Sequence, residues 1–136
     1  LPTARGSDSL PAPALLAGRH VRVSLTVRPQ PLRARNVAAL LRGTDPSRRD
    51  EVVVFTAHLD HLGFSTPDAR GDSLYNGFVD NAAGSAMLLA IAQVLATERP
   101  ARSTLFLWLT GEEMGLLGSD YFVAQPTVPL ARIAAA

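Results

Sequence analysis

A chain of 136 residues with 47% hydrophobic content has enough apolar material for one packed domain, which excludes a disordered or fibrous character. Thirteen basic residues, all arginine, against twelve acidic ones give a net charge of +1 with no basic block beyond Arg48-Arg49, so nucleic acid is not an expected partner. Without cysteine there is no disulfide framework, zinc ribbon or thiol nucleophile, and no apolar run approaches the ~20 residues of a membrane span.

Leu1 to Gly18 is rich in Pro, Ala and Ser without a sustained period, and reads as a linker or arm before a domain over 19–136. From His20 the pattern alternates: Val21, Val23, Leu25 and Val27 form one face and Arg22, Ser24, Thr26 and Arg28 the other, which predicts a half-buried strand. Pro29 and Pro31 end it. Asn36 to Leu41 is expected to be a second strand antiparallel to the first, and Gly43 to Asp50 a polar turn. Glu51 to Ala57 contains the continuous run Val52-Val53-Val54-Phe55, the mark of a strand buried on both faces.

His58 to Phe78 is a long connection punctuated by Gly63, Pro67, Gly71 and the turn pair Asn76-Gly77, and loops of this length are usually functional. Asp80 or Asn81 can cap the next element, where Met87, Leu88, Ile91 and Leu95 recur at helical spacing until Arg99-Pro100. Ser103 to Leu109 is a second fully apolar strand, and a last short helix is expected over Glu112 to Ala124, before Pro126. A strand, helix, strand unit of this kind closes by a right-handed crossover into parallel pairing. The fold class is therefore α/β, with a mixed, mostly parallel sheet flanked by helices. The chain opens on Leu1, and its tail from Ala131 carries no breaker or polar cap, so a fragment at both ends is expected.

In open α/β sheets ligands bind beyond the carboxyl ends of the parallel strands. The first apolar strand runs into His58-Leu59-Asp60 and the second into Gly111-Glu112-Glu113, while the intervening helix starts at the same edge with Asp80-Asn81. One imidazole and several carboxylates are thereby delivered to one side of the sheet. Such a nitrogen and oxygen set suits zinc. Asp80, lying between the other contributors, is the natural bridge between two ions. Asp60, two residues beyond His58, could bond the free ring nitrogen of that histidine and fix its tautomer. Of the neighbouring Glu112 and Glu113, whose side chains diverge, one can bind metal while the other moves protons.

Simpler roles exist for each residue alone. Thr110-Gly111-Glu112-Glu113 matches a capping box, and Asp80 an N-cap. His61, an odd number of residues from His58, would point away as loop or pocket wall, and Asp68 and Asp72 sit in a polar loop. Convergence of His58, Asp80 and the glutamate pair on one edge outweighs these separate readings.

Three stretches resemble the family-28 metallopeptidases, most of them dizinc aminopeptidases: Ala57-His58-Leu59-Asp60-His61-Leu62-Gly63, Tyr75-Asn76-Gly77 leading to Asp80-Asn81-Ala82-Ala83-Gly84, and Thr110-Gly111-Glu112-Glu113-Met114-Gly115-Leu116-Leu117-Gly118-Ser119. The similarity runs from Asn36 to the end. It implies metal ligation by His58, Asp80 (bridging) and Glu113, a general base at Glu112, orientation of the histidine by Asp60, and a cis peptide at Asp80-Asn81. It also implies two zinc ions, a peptide substrate, a secreted or periplasmic location, and a further aspartate and histidine ligand beyond Ala136. Phe78-Val79 departs from the small and acidic pair usual there. The expected function is an exopeptidase that removes amino-terminal residues; the alternatives are a non-catalytic scaffold of the same fold, or zinc-dependent carboxypeptidase or glutaminyl cyclase chemistry.

Overall fold

The computed structural model describes residues 18, 20, 22–28 and 31–136. The chain divides into two units, Leu1–Pro31 and Leu32–Ala136. In the first, the expected arm lies outside the described residues except for Gly18. Residues 22–28 form neither strand nor helix, so the strand expected from His20 to Val27 is not made there; Val21 lies outside the described residues. An alternating pattern becomes a strand only when one face is buried and a neighbour takes up its hydrogen bonds. Val23, Leu25 and Val27 are instead largely exposed.

The second unit contains strands β1 (Val37–Leu41), β2 (Val52–His58), β3 (Gly63–Phe64) and β4 (Leu74–Tyr75), helix α1 (Ala83–Glu98), β5 (Ser103–Leu109), helix α2 (Leu117–Ala124) and β6 (Ile133–Ala135). Its main sheet has the order β1-β5-β2-β6, while β3 and β4 pair by themselves. β2 lies parallel to both β5 and β6, as the apolar strand, helix, strand pattern predicts. β1 is antiparallel to β5, with Val37 opposite Trp108 and Leu41 opposite Thr104, whereas the strand it was expected to pair with is not made at residues 22–28. The observed class is the anticipated α/β with a mixed sheet.

Alternation along the two central strands builds a core on each face. Val52, Val54, Leu105 and Leu107 pack with Phe122 of α2 on one side. Ala57 and Phe106 meet Leu88 of α1 on the other, flanked by Phe55, Ile91, Leu95 and Trp108. Leu105 and Leu107 are fully buried, each worth roughly 1.5–3 kcal/mol of burial. Both faces of β2 and β5 are covered, which is why their sequences are apolar runs.

Asn81 caps α1, its Oδ1 accepting the Gly84 amide at 3.1 Å, whereas Asp80 turns elsewhere. A kinked segment over Phe78–Ala82, with Asp80 and Asn81 in non-helical conformations, precedes α1, and Arg99, in the left-handed region at φ 55°, ends it before Pro100. Within Phe78–Glu98, 21 residues, an 18-residue window has mean hydropathy 1.5, enough by length and composition to cross a membrane. It is not an unbroken apolar run, since Asp80, Asn81, Ser85 and Gln93 interrupt it; its average is carried by the Leu, Ile, Val, Met and Ala residues between them. One face of α1 packs on the sheet through Leu88, Ile91 and Leu95.

The last helix begins later than expected. Gly115 and Leu116 have positive φ of 98° and 61°, conformations no helix passes through, so α2 starts at Leu117. Glu112 and Glu113 are left in a turn, where the Glu112 carbonyl accepts the amides of Gly115 and Leu116. Thr110 is not the cap of a helix.

Candidate metal centre

β2 and β5 end in step, with His58 opposite Leu109 and the Leu59 amide donating to the Leu109 carbonyl at 2.8 Å. The chain therefore leaves both strands at one level and delivers residues 58–60 and 110–113 to the same edge. The first turn of α1 is tied to this edge: Ser85 Oγ donates to the His58 carbonyl at 3.0 Å, and Trp108 Nε1 donates to the Ser85 carbonyl at 3.3 Å. The Asp80-Asn81 peptide is cis, as the resemblance implied.

His58 is buried, with 9% of its side chain exposed, and its Nε2 lies 2.8 Å from Asp80 Oδ1. Its Nδ1 lies 2.9 Å from the Asp60 backbone carbonyl. Burial opposes charge on this ring, but the bonds to the Asp60 carbonyl and the Asp80 carboxylate, with the charges of Glu112 and Asp80, outweigh it and raise the pKa above the ordinary histidine range. Glu112 Oε2 is 3.8 Å from the same nitrogen and lines a cleft of about 280 Å³ with His58, Asn81, Leu116 and Ser119.

His58, Asp80 and Glu113 each offer a donor atom, and all three atoms lie within 4.8 Å of one another. Imidazole nitrogen with carboxylate oxygen is a donor set zinc accepts. With Nδ1 engaged by a carbonyl, Nε2 is the nitrogen left to bind a cation. A cation between Nε2 and Asp80 would replace the proton those two atoms share. The residues present thus fit a metal.

Asp60 corrects one expectation. It contacts the His58 ring through its main-chain carbonyl, while its carboxylate Oδ2 accepts the Thr110 hydroxyl at 2.7 Å and the Gly111 amide at 2.5 Å. Reading side chains two apart as facing the same way failed because β2 ends at His58, and over residues 59–62 the chain is in no regular element, so strand alternation no longer sets the facing of side chains. Burial opposes ionisation of Asp60, but the bonds from Gly111 and Thr110 outweigh it and hold its carboxyl below the usual range.

The same end of strand alternation undoes the argument that sent His61 away. Its Nδ1 lies 2.7 Å from Glu113 Oε1, and it lines a second cavity of about 610 Å³ with Tyr75, Asn76, Gly77, Asn81 and Trp108. A second histidine within four residues of His58 was the signal for it. Asp68 accepts the amides of Arg70 and Asp72 in an exposed turn, as expected of a polar loop.

Residues 36–136 match the model described as Peptidase family M28. A probable zinc metalloprotease of Pyricularia oryzae is 35% identical over 124 residues, covering 90% of this chain and 22% of that protein. A probable zinc metalloprotease of Leptosphaeria maculans is 36% identical over 93 residues, covering 68% of this chain and 21% of that one. An aminopeptidase of Pseudomonas aeruginosa is 38% identical over 88 residues, covering 65% of this chain and 14% of that protein. The chain thus spans at most 22% of the length of these relatives. No solved structure shows a significant match.

Proposed function

Because the chain belongs to peptidase family M28, we propose that it carries the first part of a dizinc exopeptidase site that releases amino-terminal residues from peptides. The observation that carries the reading is the convergence of His58, Asp80 and Glu113 at the common carboxyl end of β2 and β5, with Glu112 beside them and outside the donor set. The relatives named zinc metalloprotease and aminopeptidase support the metal and the reaction class.

His58, Asp80 and Glu113 would hold zinc, with Asp80 shared between two ions. Zinc, when bound, supplies a Lewis acid that polarises the scissile carbonyl and makes water easier to deprotonate. Glu112 takes the proton from the attacking water and returns it to the leaving amine, a transfer worth roughly 10²–10⁴-fold in rate. Its place in the cleft beside His58 suits that task, since it needs no bond to the metal to reach the water. Asp60 holds the Thr110-Gly111 main chain from which Glu112 and Glu113 project.

The test separates the two glutamates. In the full protein, Glu112→Gln is expected to lower hydrolysis of an amino-acid anilide by about 10²–10⁴-fold with zinc content unchanged. Glu113→Gln is expected to lose zinc first. Metal loss in the Glu112 variant would make that residue a ligand and overturn the assignment. Equal cleavage of the anilide and its amino-blocked analogue would overturn the exopeptidase reading.

A further inference from the structure

His61 belongs to none of the roles above, yet its position is closely determined. Its ring meets Tyr75 of β4 edge-on, with centroids 6.2 Å apart and planes at 74°. Behind it stands Gly77, in the left-handed region at φ 59°, where an added Cβ would come within 2.8 Å of the His61 Cβ. Tyr75 and Gly77 thus fix the ring from two sides. On its other side, Nδ1 is buried and has no aligned hydrogen bond; the atom facing it is Glu113 Oε1, at 2.7 Å. The two side chains are 21% and 24% exposed, although Asp80 on the same edge is 64% exposed. An imidazole nitrogen this close to a carboxylate oxygen is an arrangement that can orient the carboxylate, because a donor to an ionised oxygen makes one of the stronger hydrogen bonds.

We propose that His61 is a positioning residue for Glu113: rotation of the Glu113 carboxylate brings the oxygen that lies 2.7 Å from Nδ1 into line with its N–H, which then holds that oxygen and leaves the other to bind metal. The inference rests on the reading of Glu113 as a metal ligand. Its physical content is that a free carboxylate can present either oxygen or both, while one held by a fixed donor presents one. Groups that hold a ligand in this way typically change metal affinity by roughly 10–100-fold when removed. The donor cluster of His58, Asp80 and Glu113 does not include His61, which separates this role from direct ligation.

The experiment is a zinc titration against a competing chelator in the full protein, comparing wild type with His61→Ala, His61→Asn and His61→Gln. Asparagine places its amide nitrogen close to the position of Nδ1, and glutamine places it near that of Nε2. Affinity for one of the two ions is expected to fall by about 10–100-fold in the alanine and glutamine variants and to be largely recovered with asparagine. Wild-type affinity in the alanine variant would overturn the proposal. So would a glutamine variant binding as well as the asparagine one, a comparison that stands even if the alanine variant does not fold. Loss of one whole equivalent of zinc in all three variants would make His61 a ligand and overturn the positioning role. Wild-type protein that takes up no zinc would instead overturn the metal centre itself, and this inference with it.

Discussion

The Asp60 carboxylate holds two donors from the Thr110-Gly111 segment on Oδ2, while its Oδ1 is buried without a partner among the described residues. Removing it leaves the Gly111 amide unsatisfied, which costs about 1–3 kcal/mol. Asp60→Ala is therefore expected to destabilise the protein by that amount in urea melts. Thr110→Val, which removes one donor, should reproduce part of the loss. If Thr110→Val is silent while Asp60→Ala weakens only zinc binding, the role expected from the sequence, orienting the His58 ring, is the correct one. The pH dependence follows from the sign of the shift. A carboxyl whose folded pKa is depressed contributes stability that is full above its unfolded value of ~3.9 and lost as pH falls through the lower folded value. In that acid window Asp60→Ala should lose less stability than wild type, as urea midpoints taken across it would show. At this scale the convergence of His58, Asp80, Glu112 and Glu113 on one edge was legible from element ends and direction was not: the facing of Asp60 and His61 depends on where β2 stops and strand alternation ends.

At the scale of elements, α2 is locked to the end of β5 through one asparagine and one glycine. Asn36 Nδ2 donates to the Gly118 carbonyl at 2.7 Å, and its Oδ1 accepts the Thr110 amide at 3.1 Å. A Cβ at Gly118 would press on the Thr110 carbonyl and come within 2.6 Å of Asn36 Oδ1. This close approach of helix to strand end leaves the Glu112-Glu113 turn little freedom. Gly118→Ala is expected to cost about 1–3 kcal/mol through overpacking against main chain. Asn36→Ala, which strands a half-buried amide and a carbonyl, is expected to cost a similar amount. Because both act on one contact, the double variant should lose less than the sum of the two. Strict additivity in denaturant melts would show that the helix is held elsewhere. The glutamate turn itself was hidden in the sequence, because acidic residues after Thr110-Gly111 read equally well as a helix start. What decides against a helix is the left-handed backbone at Gly115 and Leu116, and at Leu116 no side-chain property announces it.

Over the whole molecule, the parallel pairing of β2 with β5 was legible because two apolar runs flank one amphipathic helix, a local pattern. The edge position of β1 and the coil at residues 22–28 were not, since alternation gives a strand's faces without naming its partner. The same layout sets what the 136-residue chain can do alone. Among the described residues the centre gathers three donors, His58, Asp80 and Glu113, for two proposed ions, whereas a catalytic zinc usually has three from protein by itself. With Asp80 shared, each ion reaches two. Away from the site, α1 exposes Met87, Leu89 and Val94, and β1 exposes Val37 and Leu40 along an edge strand without charged side chains. Exposed apolar surface and an open strand edge both favour association with other chains. The isolated chain is therefore expected to bind zinc weakly, to leave amino-acid anilides uncleaved, and to self-associate. Equilibrium dialysis, an anilide assay with added zinc and sedimentation velocity check the three points. A monomer that keeps two zinc ions through dialysis and hydrolyses the anilide would show that these three donors suffice, and that the outer faces of α1 and β1 are stable in water uncovered.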